Sequence, residues 1–281
     1  MPTKIEWCDE TWNPITGCTP ISIGCLNCYA SKMANRLRGR HGYSYVDPFK
    51  PATIHKDKLC YPLKIKRVKR FFVCSMGDFF HDEVLKFYNN GGEKFINEMW
   101  DVMASCPQHI FHILTKRTHN IEQLLSSLPK LNNLWLGTTV ETQKQVERIE
   151  QLIPMRKYCG GLFVSCEPLL GPVDIEEWLD PLRECDDTTR KCIRSGLINS
   201  CQAKEYSCET IKWVIVGGET GPGSRPMETD WARSLREQCK KHYTPFFFKK
   251  HGSWWCREFG KRTSWRENHE LDGMTWEQFP N

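Results

Sequence analysis

The segment KRFFVCSMGDFF (residues 69–80) contains an apolar run followed at once by small and acidic residues. Such a run is typical of a buried strand, and the residues after it form the loop at the carboxyl end of that strand. The pattern recurs downstream in five segments, HIFHILTKR (109–117), LWLGTTVE (134–141), GLFVSCEPLL (161–170), WVIVGGE (213–219) and PFFFKK (245–250). The chain therefore repeats a strand-to-loop unit.

Segments with helical periodicity alternate with these strands. They cover residues 31–40, 91–105, 120–128, 142–153 and 231–242. Strands that are apolar almost throughout and alternate with helices indicate a parallel sheet covered on its faces. We therefore predict an α/β fold, a partial or complete (β/α) barrel over residues 1–252, with a polar insertion at 183–210 and a Trp-rich tail at 253–281 that packs on the barrel.

Polar, small or charged residues follow each apolar run. In parallel sheets, the loops at the carboxyl ends of the strands meet at one edge and carry the functional groups. The candidates at this edge are Ser75, Gly77, Asp78, Thr115, Lys116, Arg117, Thr138, Thr139, Glu141, Ser165, Glu167, Gly217, Gly218, Glu219, Lys249 and Lys250. Taken singly, each carboxylate fits a helix cap or a salt bridge as well as a catalytic role. Lys116 and Arg117 suit either of two roles, binding a substrate phosphate or capping the end of the sheet.

Composition restricts the class of protein. The 281 residues are 40% hydrophobic and carry a formal net charge of +5, which is compatible with nucleic acid without requiring it. The first residues contain no export signal, and no apolar run approaches the roughly 18 residues of a membrane span. We expect a soluble, cytoplasmic protein without membrane contact. In that reducing compartment, its 15 cysteines should be free, metal-bound or catalytic.

The run GCTPISIGCLNCYA (17–30) contains three cysteines, Cys18, Cys25 and Cys28. Gaps of six and two residues let their thiolates converge on one metal centre, with Gly17, Pro20 and Gly24 supplying the turns. An ordinary closed site has four protein ligands, whereas three thiolates on a four-iron cluster leave one iron open. The alternative is a structural zinc site completed by a distant side chain such as His81.

The motifs around these cysteines resemble those of a known family. EWCDETWNP precedes the cysteine run, and SMGDFFHDEV, LTKR, WLGTTVE, SCEPLLGPVD, WVIVGGETGPGSRP and PFFFKK follow it in order. Together they resemble the phage- and mobile-element-associated three-Cys-motif family of unknown function. That family is similar to the radical S-adenosylmethionine (SAM) superfamily, which includes spore photoproduct lyase. The partial (β/α) barrels of that superfamily hold a 4Fe-4S cluster on three cysteines and cleave SAM at the open iron.

The resemblance implies roles for the three cysteines and for several positions at the predicted edge. Cys18, Cys25 and Cys28 would be the catalytic cluster ligands. SAM-binding residues would be Ser75, Gly77 and Asp78 at the amino group, Thr138, Thr139 and Glu141 at the ribose or the methionine carboxylate, and Gly217 and Gly218 near adenine. From their place at the same edge, we predict Lys116, Arg117, Glu167 and Glu219 as substrate-binding residues.

The implied function is a radical SAM-like enzyme that reductively cleaves SAM to a 5′-deoxyadenosyl radical. Its partners would be a reductant protein and a nucleic acid substrate that undergoes modification or repair, a step that rests on analogy. A second hypothesis is a non-catalytic protein, stabilised by zinc or a cluster, that binds nucleic acid or a partner. The oligomeric state is left open.

Four further cysteines, Cys185, Cys192, Cys201 and Cys208, lie in the polar insertion. Because that segment has few apolar residues with which to build a core, a second metal site, with zinc or less favourably a second cluster, would explain its composition. The alternative is a set of unpaired or disulfide-forming surface cysteines.

Overall fold

The computed structural model describes residues 3–182, 188, 191–192, 209–259 and 268–280. Its strands are β1 (Glu10–Trp12), β2 (Ile15–Thr16), β3 (Thr53–Ile54), β4 (Arg70–Val73), β5 (Ile110–Thr115), β6 (Leu131–Thr139), β7 (Cys159–Cys166), β8 (Trp213–Gly217), β9 (Phe246–Lys250), β10 (Glu270–Leu271) and β11 (Met274–Thr275). Its helices are α1 (Tyr29–Arg36), α2 (Asp82–Phe87), α3 (Glu93–Ala104), α4 (Ile121–Leu125), α5 (Glu147–Leu152), α6 (Glu176–Leu179), α7 (Thr229–Lys241) and α8 (Ser253–Glu258).

Seven of the strands form one sheet in the order β1-β4-β5-β6-β7-β8-β9. All six pairings are parallel, so the carboxyl ends of the seven strands lie at the same edge. The sheet curls into a half-barrel, in which β1 and β9 are the two outer strands. The predicted α/β fold is thus confirmed, and the barrel is partial.

Alternating side chains of each strand serve two cores, as the two-residue period of a strand requires. In β8, Val214 and Val216 belong to the core between the sheet and the helices. Trp213 and Ile215 belong to a second cluster, on the face turned away from the helices. We call this second set the inner cluster; it consists of Trp7, Cys8, Phe72, Phe163, Trp213, Ile215 and Phe247, with Ile5, Leu114, Trp135 and Phe279 packed against it.

The chain ends meet on this inner face. The Trp7 ring lies 4.6 Å from Phe72, and the Phe279 ring lies 5.3 Å from Phe247. The guanidinium of Arg70 lies 3.9 Å from the centre of the Phe279 ring. Within the tail, α8 and the β10–β11 hairpin precede Phe279. Residues from both ends of the chain therefore fill the hollow of the half-barrel.

One sequence prediction, the second metal site, falls largely on residues that the structure does not describe. Of the insertion cysteines, Cys185, Cys201 and Cys208 lie outside the described residues, and only Cys192 lies within them. The proposed second metal site therefore stays a prediction. Among the described helices, none is long and apolar enough to pass through a bilayer.

Candidate functional site

The cysteine loop (residues 17–28) lies against the carboxyl edge of the sheet. Gly17 forms a parallel bridge with Gly77, and its amide donates to Met76 O at 2.9 Å. Gly17 has φ +90°, and a Cβ there would lie 1.8 Å from Lys50 O, so only glycine fits. The amide of Cys18 donates to Phe49 O at 3.2 Å. The loop is therefore fixed between the β4 loop and residues 49–50.

A cavity of about 400 Å³ opens beneath this loop. Cys18, Cys25 and Cys28 all line it, as do residues from the ends of successive strands. The sequence-predicted residues that line it are Ser75, Gly77, Asp78, Thr115, Lys116, Arg117, Thr139, Ser165, Glu167, Gly218, Glu219 and Lys249. Thr138, Glu141, Gly217 and Lys250 are not among the lining residues. The residues predicted at this edge thus surround one cavity, apart from the four that do not line it.

Arg117 joins the cysteine loop to the sheet. Its side chain is only 3% exposed and pairs with Asp78 at 3.3 Å. The same guanidinium donates to Cys18 Sγ at 3.5 Å and to Thr19 O at 3.1 Å. Burial is the main cause that raises the pKa of the Cys18 thiol to about 12, and the nearby Asp78 carboxylate adds to it. Arg117 opposes this rise, because a guanidinium favours a thiolate.

Asp78 is fully engaged by the protein. Its Oδ1 accepts from Thr115 Oγ1 at 2.7 Å and from the Phe80 amide at 3.0 Å. Its Oδ2 accepts from Arg117 and, at 3.4 Å, from the Lys116 amide. These bonds fix the ends of β4 and β5 together. Its implied contact with a SAM ammonium stays a prediction, for which the carboxylate would have to add a further bond.

Glu141 forms a second buried anchor. Its side chain is 0% exposed and pairs with Lys116 at 2.5 Å and with Arg148 at 2.9 Å. Ser22 of the cysteine loop donates to the same carboxylate. Burial raises the pKa of Glu141, but the two cations outweigh it and the net pKa lies below the ordinary value. Glu141 thus holds Lys116 and the loop in place from behind the cavity wall.

Lys116 connects this anchor to a second thiol. Its Nζ lies 3.7 Å from Cys25 Sγ. Burial raises the pKa of Cys25, but the Lys116 ammonium and the amides of Ile21 and Ser22 outweigh burial, so the net pKa is lowered. A Cβ on Gly24 would lie 2.5 Å from Glu141 Oε1, which shows how closely the loop approaches this carboxylate. Two thiols of the cysteine loop, Cys18 and Cys25, therefore each have a cation from the segment after β5 beside them.

The opposite wall contains two further ion pairs. Glu219 pairs with Arg225 at 2.5 Å and accepts from Asn27 Nδ2 at 2.9 Å. Glu167 pairs with Lys249 at 2.9 Å. Asn27 immediately precedes Cys28, so the Glu219 pair fixes the end of the loop that bears the third cysteine. The implied substrate-binding role of Glu167 and Glu219 stays a prediction.

Ser75 and the threonines of β6 have structural partners. Ser75 Oγ donates to Asn13 Oδ1 at 3.2 Å, and Ser75 O accepts from the Tyr29 hydroxyl. Thr138 is fully buried, and its Oγ1 donates to Thr115 O at 3.0 Å. Thr139 is 3% exposed and lines the cavity. Of the SAM contacts that the resemblance implies in this strand, Thr139 alone faces the cavity.

The two glycines after β8 have a packing reason in this structure. A Cβ on Gly218 would lie 1.9 Å from His251 O, and one on Gly217 would lie 3.1 Å from Glu167 Oε1. Gly218 therefore allows β8 and the segment after β9 to approach each other. Its implied closeness to adenine stays a prediction.

Gly218→Ala is expected to destabilise the protein by about 2 kcal/mol or more, because a backbone oxygen cannot yield to the added methyl. Gly171→Ala is the matched control, since a Cβ there would meet only the side chain of Thr142, with Cγ2 at 3.3 Å and Cβ at 3.6 Å. Urea unfolding followed by tryptophan fluorescence measures both variants. Equal unfolding free energies for the two would contradict the close approach of these segments.

The family model of DUF5131, described as a protein of unknown function, matches residues 2–280. The chain belongs to the DUF5131 family. No curated protein and no solved structure matches the chain. The description of DUF5131 carries no activity, so the resemblance to the three-Cys-motif family and to radical SAM enzymes stays a prediction. What this DUF5131 chain can do must be argued from its own site.

The three thiols are not grouped around a single-ion site among the described residues. Cys18, Cys25 and Cys28 are free thiols on one cavity. Both ring nitrogens of His81 are engaged, Nε2 with Thr19 Oγ1 at 2.8 Å and Nδ1 with the Glu83 amide at 3.0 Å. Among the described residues, no three His, Cys, Asp or Glu side chains are grouped so that they could hold one ion. A cluster offers a separate iron to each thiolate, so it does not require that convergence.

Sequence reasoning missed three residues of this DUF5131 site, Asn27, Tyr29 and Arg225. Each lies inside a motif that the sequence analysis quoted, but each acts through a partner far away in the chain. Asn27 reaches Glu219, Tyr29 reaches Ser75, and Arg225 also donates to Ile23 O at 3.0 Å. Asn27 and Tyr29 flank Cys28, and Arg225 lies two residues after Gly223, so nothing local in the sequence indicates their distant partners.

Proposed function

We propose that this protein is a radical SAM-like iron–sulfur enzyme with its reaction site in the cavity beneath the cysteine loop. The observation that carries the proposal is the placement of Cys18, Cys25 and Cys28 on one cavity at the carboxyl edge of a parallel half-barrel. Ligand sites of α/β sheets lie at this edge. Three thiolates without a fourth protein ligand would leave one iron open to a cofactor.

The three cysteines would hold the cluster. When bound, such a cluster supplies the electron for reductive cleavage of SAM. The protein's own residues would position the three thiolates and shield the cluster from water. Arg117 and Lys116 place positive charge beside Cys18 and Cys25, which stabilises thiolates as ligands. The Glu219–Asn27 bond holds the segment that leads into Cys28.

The cavity has room for a cofactor beside the thiols. Its lining combines the apolar side chains of Ile5, Trp7, Phe72 and Leu114 with polar and charged ones. This combination suits a ligand that has a flat ring at one end and charged groups at the other. Glu167, Lys249 and Glu219 are charged lining groups that would orient such a ligand.

The resemblance supplies two partners to this proposal, a reductant protein and a nucleic acid substrate for modification or repair.

Anaerobic reconstitution of the purified protein tests the proposal. We expect about four irons and four sulfides per chain, a brown colour, and formation of 5′-deoxyadenosine from SAM after reduction with dithionite. A colourless protein that contains stoichiometric zinc would overturn the enzyme assignment and favour the non-catalytic metal-stabilised alternative. A cluster without SAM cleavage would leave an iron–sulfur protein but overturn the SAM reaction.

A further inference from the structure

Positive charge is concentrated in one segment, none of whose Lys or Arg side chains lines the cavity. Residues 32–70 contain twelve Lys and Arg and two Asp, a formal net charge of +10, whereas the whole chain carries +5. The remainder of the protein is therefore net acidic. We call residues 32–70 the basic flank.

The basic flank follows the outer strand of the sheet. Strand β3 pairs with β2 through Ile15 and Ile54, and Trp12 Nε1 of β1 donates to Lys58 O at 2.9 Å. The two halves of the flank touch each other, because the Tyr43 ring lies 5.6 Å from His55 and beneath Lys58 Nζ. The flank is thus one layer beside β1, from the carboxyl edge of the sheet to the start of β4.

The cations of the flank face solvent. Nine of them are exposed, Lys32, Arg36, Arg38, Arg40, Lys50, Lys56, Lys64, Lys66 and Arg67. Among the ion pairs of the described residues, the flank contributes only Arg70, which pairs with Asp9 at 3.1 Å. Unneutralised like charges on one layer repel each other, and a polyanion relieves that repulsion.

The flank also presents an exposed aromatic ring next to these charges. Tyr45 is 76% exposed, and its ring packs over Gly39, where an added Cβ would lie 2.8 Å from Tyr45 Cδ2. Arg38 fixes this turn by donating to Tyr45 O at 2.7 Å and to Val46 O at 3.1 Å. A held, exposed ring among cations is the arrangement on which nucleic acid bases stack.

The middle of the flank borders the cavity. Phe49 lines the cavity, and its carbonyl accepts from the Cys18 amide. We propose that the basic flank binds the phosphodiester backbone of a nucleic acid and leads it to the mouth of the cavity. The binding step stands on charge and exposure alone, and only the delivery step rests on the proposed function.

A nucleic acid fits the flank better than an anionic membrane does. Membrane-surface segments present a continuous apolar face opposite their cations. The exposed apolar residues of the flank beyond α1 are instead separated in the chain, at Tyr45 and Val46, at Leu63 and at Val68. The cations are spread over one helix and several turns, as contacts to successive phosphates require.

Two charge-reversal triples of equal net charge test the inference. The first, Arg36→Glu with Lys56→Glu and Lys66→Glu, alters the flank. The control, Lys94→Glu with Lys130→Glu and Lys144→Glu, alters exposed lysines elsewhere. Binding is measured by fluorescence anisotropy with labelled single-stranded DNA, duplex DNA and RNA, each longer than the roughly 4–16 nucleotides that one binding domain covers. Anionic phospholipid vesicles serve as the fourth probe.

We expect the flank triple to bind nucleic acid at least about tenfold more weakly than the control triple at 50 mM salt. We also expect the slope of log affinity against log salt to become shallower by about 2–3, since each lost phosphate contact removes about one. Comparison of the single-stranded and duplex probes shows which form the flank prefers.

Three outcomes would overturn the inference: equal weakening by both triples, no weakening by the flank triple, or binding of vesicles with none of nucleic acid. SAM cleavage without nucleic acid is assayed on the same proteins. If SAM cleavage is intact but nucleic acid binding does not depend on the flank, this inference alone is refuted. If binding depends on the flank but SAM is not cleaved, the proposed function alone is refuted.

Discussion

Replacing Cys28 by alanine is expected to abolish both iron retention and SAM cleavage. Cys28 lies on the same cavity as Cys18 and Cys25, and three thiolates are the fewest that hold a cluster with one open iron. Loss of a hydrogen-bond partner of a metal ligand lowers metal affinity or activity by about 10–100-fold. Loss of a ligand itself should lower them by more than that. Iron and sulfide analysis, absorption spectra and 5′-deoxyadenosine yield measure the effect after anaerobic reconstitution.

Cys60→Ala is the matched control for this experiment. Cys60 is an exposed free thiol, and it does not line the cavity. It should retain iron, sulfide and SAM cleavage at the level of the unaltered protein. If Cys28→Ala kept its cluster and its SAM cleavage, the assignment of the cysteine loop as the cluster site would be wrong.

Arg117→Met is expected to destabilise the fold by about 3–5 kcal/mol, because it leaves the Asp78 carboxylate buried without its cation. Asp78 is 5% exposed, and Arg117 also supplies the bonds to Cys18 and Thr19. Urea denaturation of the metal-free protein measures the change. The double variant Arg117→Met with Asp78→Ala should be less destabilised than the sum of the two single variants, since removing both charges leaves neither unpaired.

The control for this pair lies on the surface. Arg233 pairs with Asp272 at 2.6 Å and with Asp230 at 2.7 Å, but its side chain is 45% exposed. Arg233→Met should cost no more than about 1 kcal/mol, because exposed ion pairs contribute little. Comparable losses for Arg117→Met and Arg233→Met would contradict the view that Arg117 is a buried anchor.

The periodic apolar runs predicted six of the seven parallel strands. The seventh, β1, was not predicted, because its sequence Glu10-Thr11-Trp12 is mostly polar. Glu10 is nevertheless 6% exposed and accepts from the Tyr61 hydroxyl at 2.9 Å. A long-range partner of this kind leaves no periodic signal, so local sequence could not show that the segment pairs with β4.

The predicted ends of the helices were less accurate than their predicted type. The helix expected at 31–40 spans Tyr29–Arg36 in the structure, and a bend at Gly39, with φ +69°, follows it. The helix expected at 142–153 divides into a short turn capped by Thr142 and the helix α5. Caps and turns depend on single side chains and so escape a pattern that is averaged over a window.

The candidate site was predicted to the level of its edge but not to that of individual contacts. Sequence order placed Asp78, Lys116 and Glu167 at the carboxyl ends of strands, and all three line the cavity. It could not show that Glu141 would be turned away from the cavity into a buried pair with Arg148. Cations from other elements decide whether a carboxylate faces the cavity or is buried in an ion pair behind it.

The inner cluster affects how the chain reaches its native state during translation. Trp213 and Phe247 pack against Phe279, so they remain uncovered on the nascent chain until residue 279 has left the ribosome. Trp7 is synthesised first, and its neighbours in β7 and β8 follow much later. The half-barrel therefore completes its interior only after Phe279 has been synthesised. Until then it presents an aromatic surface of the kind that chaperones bind.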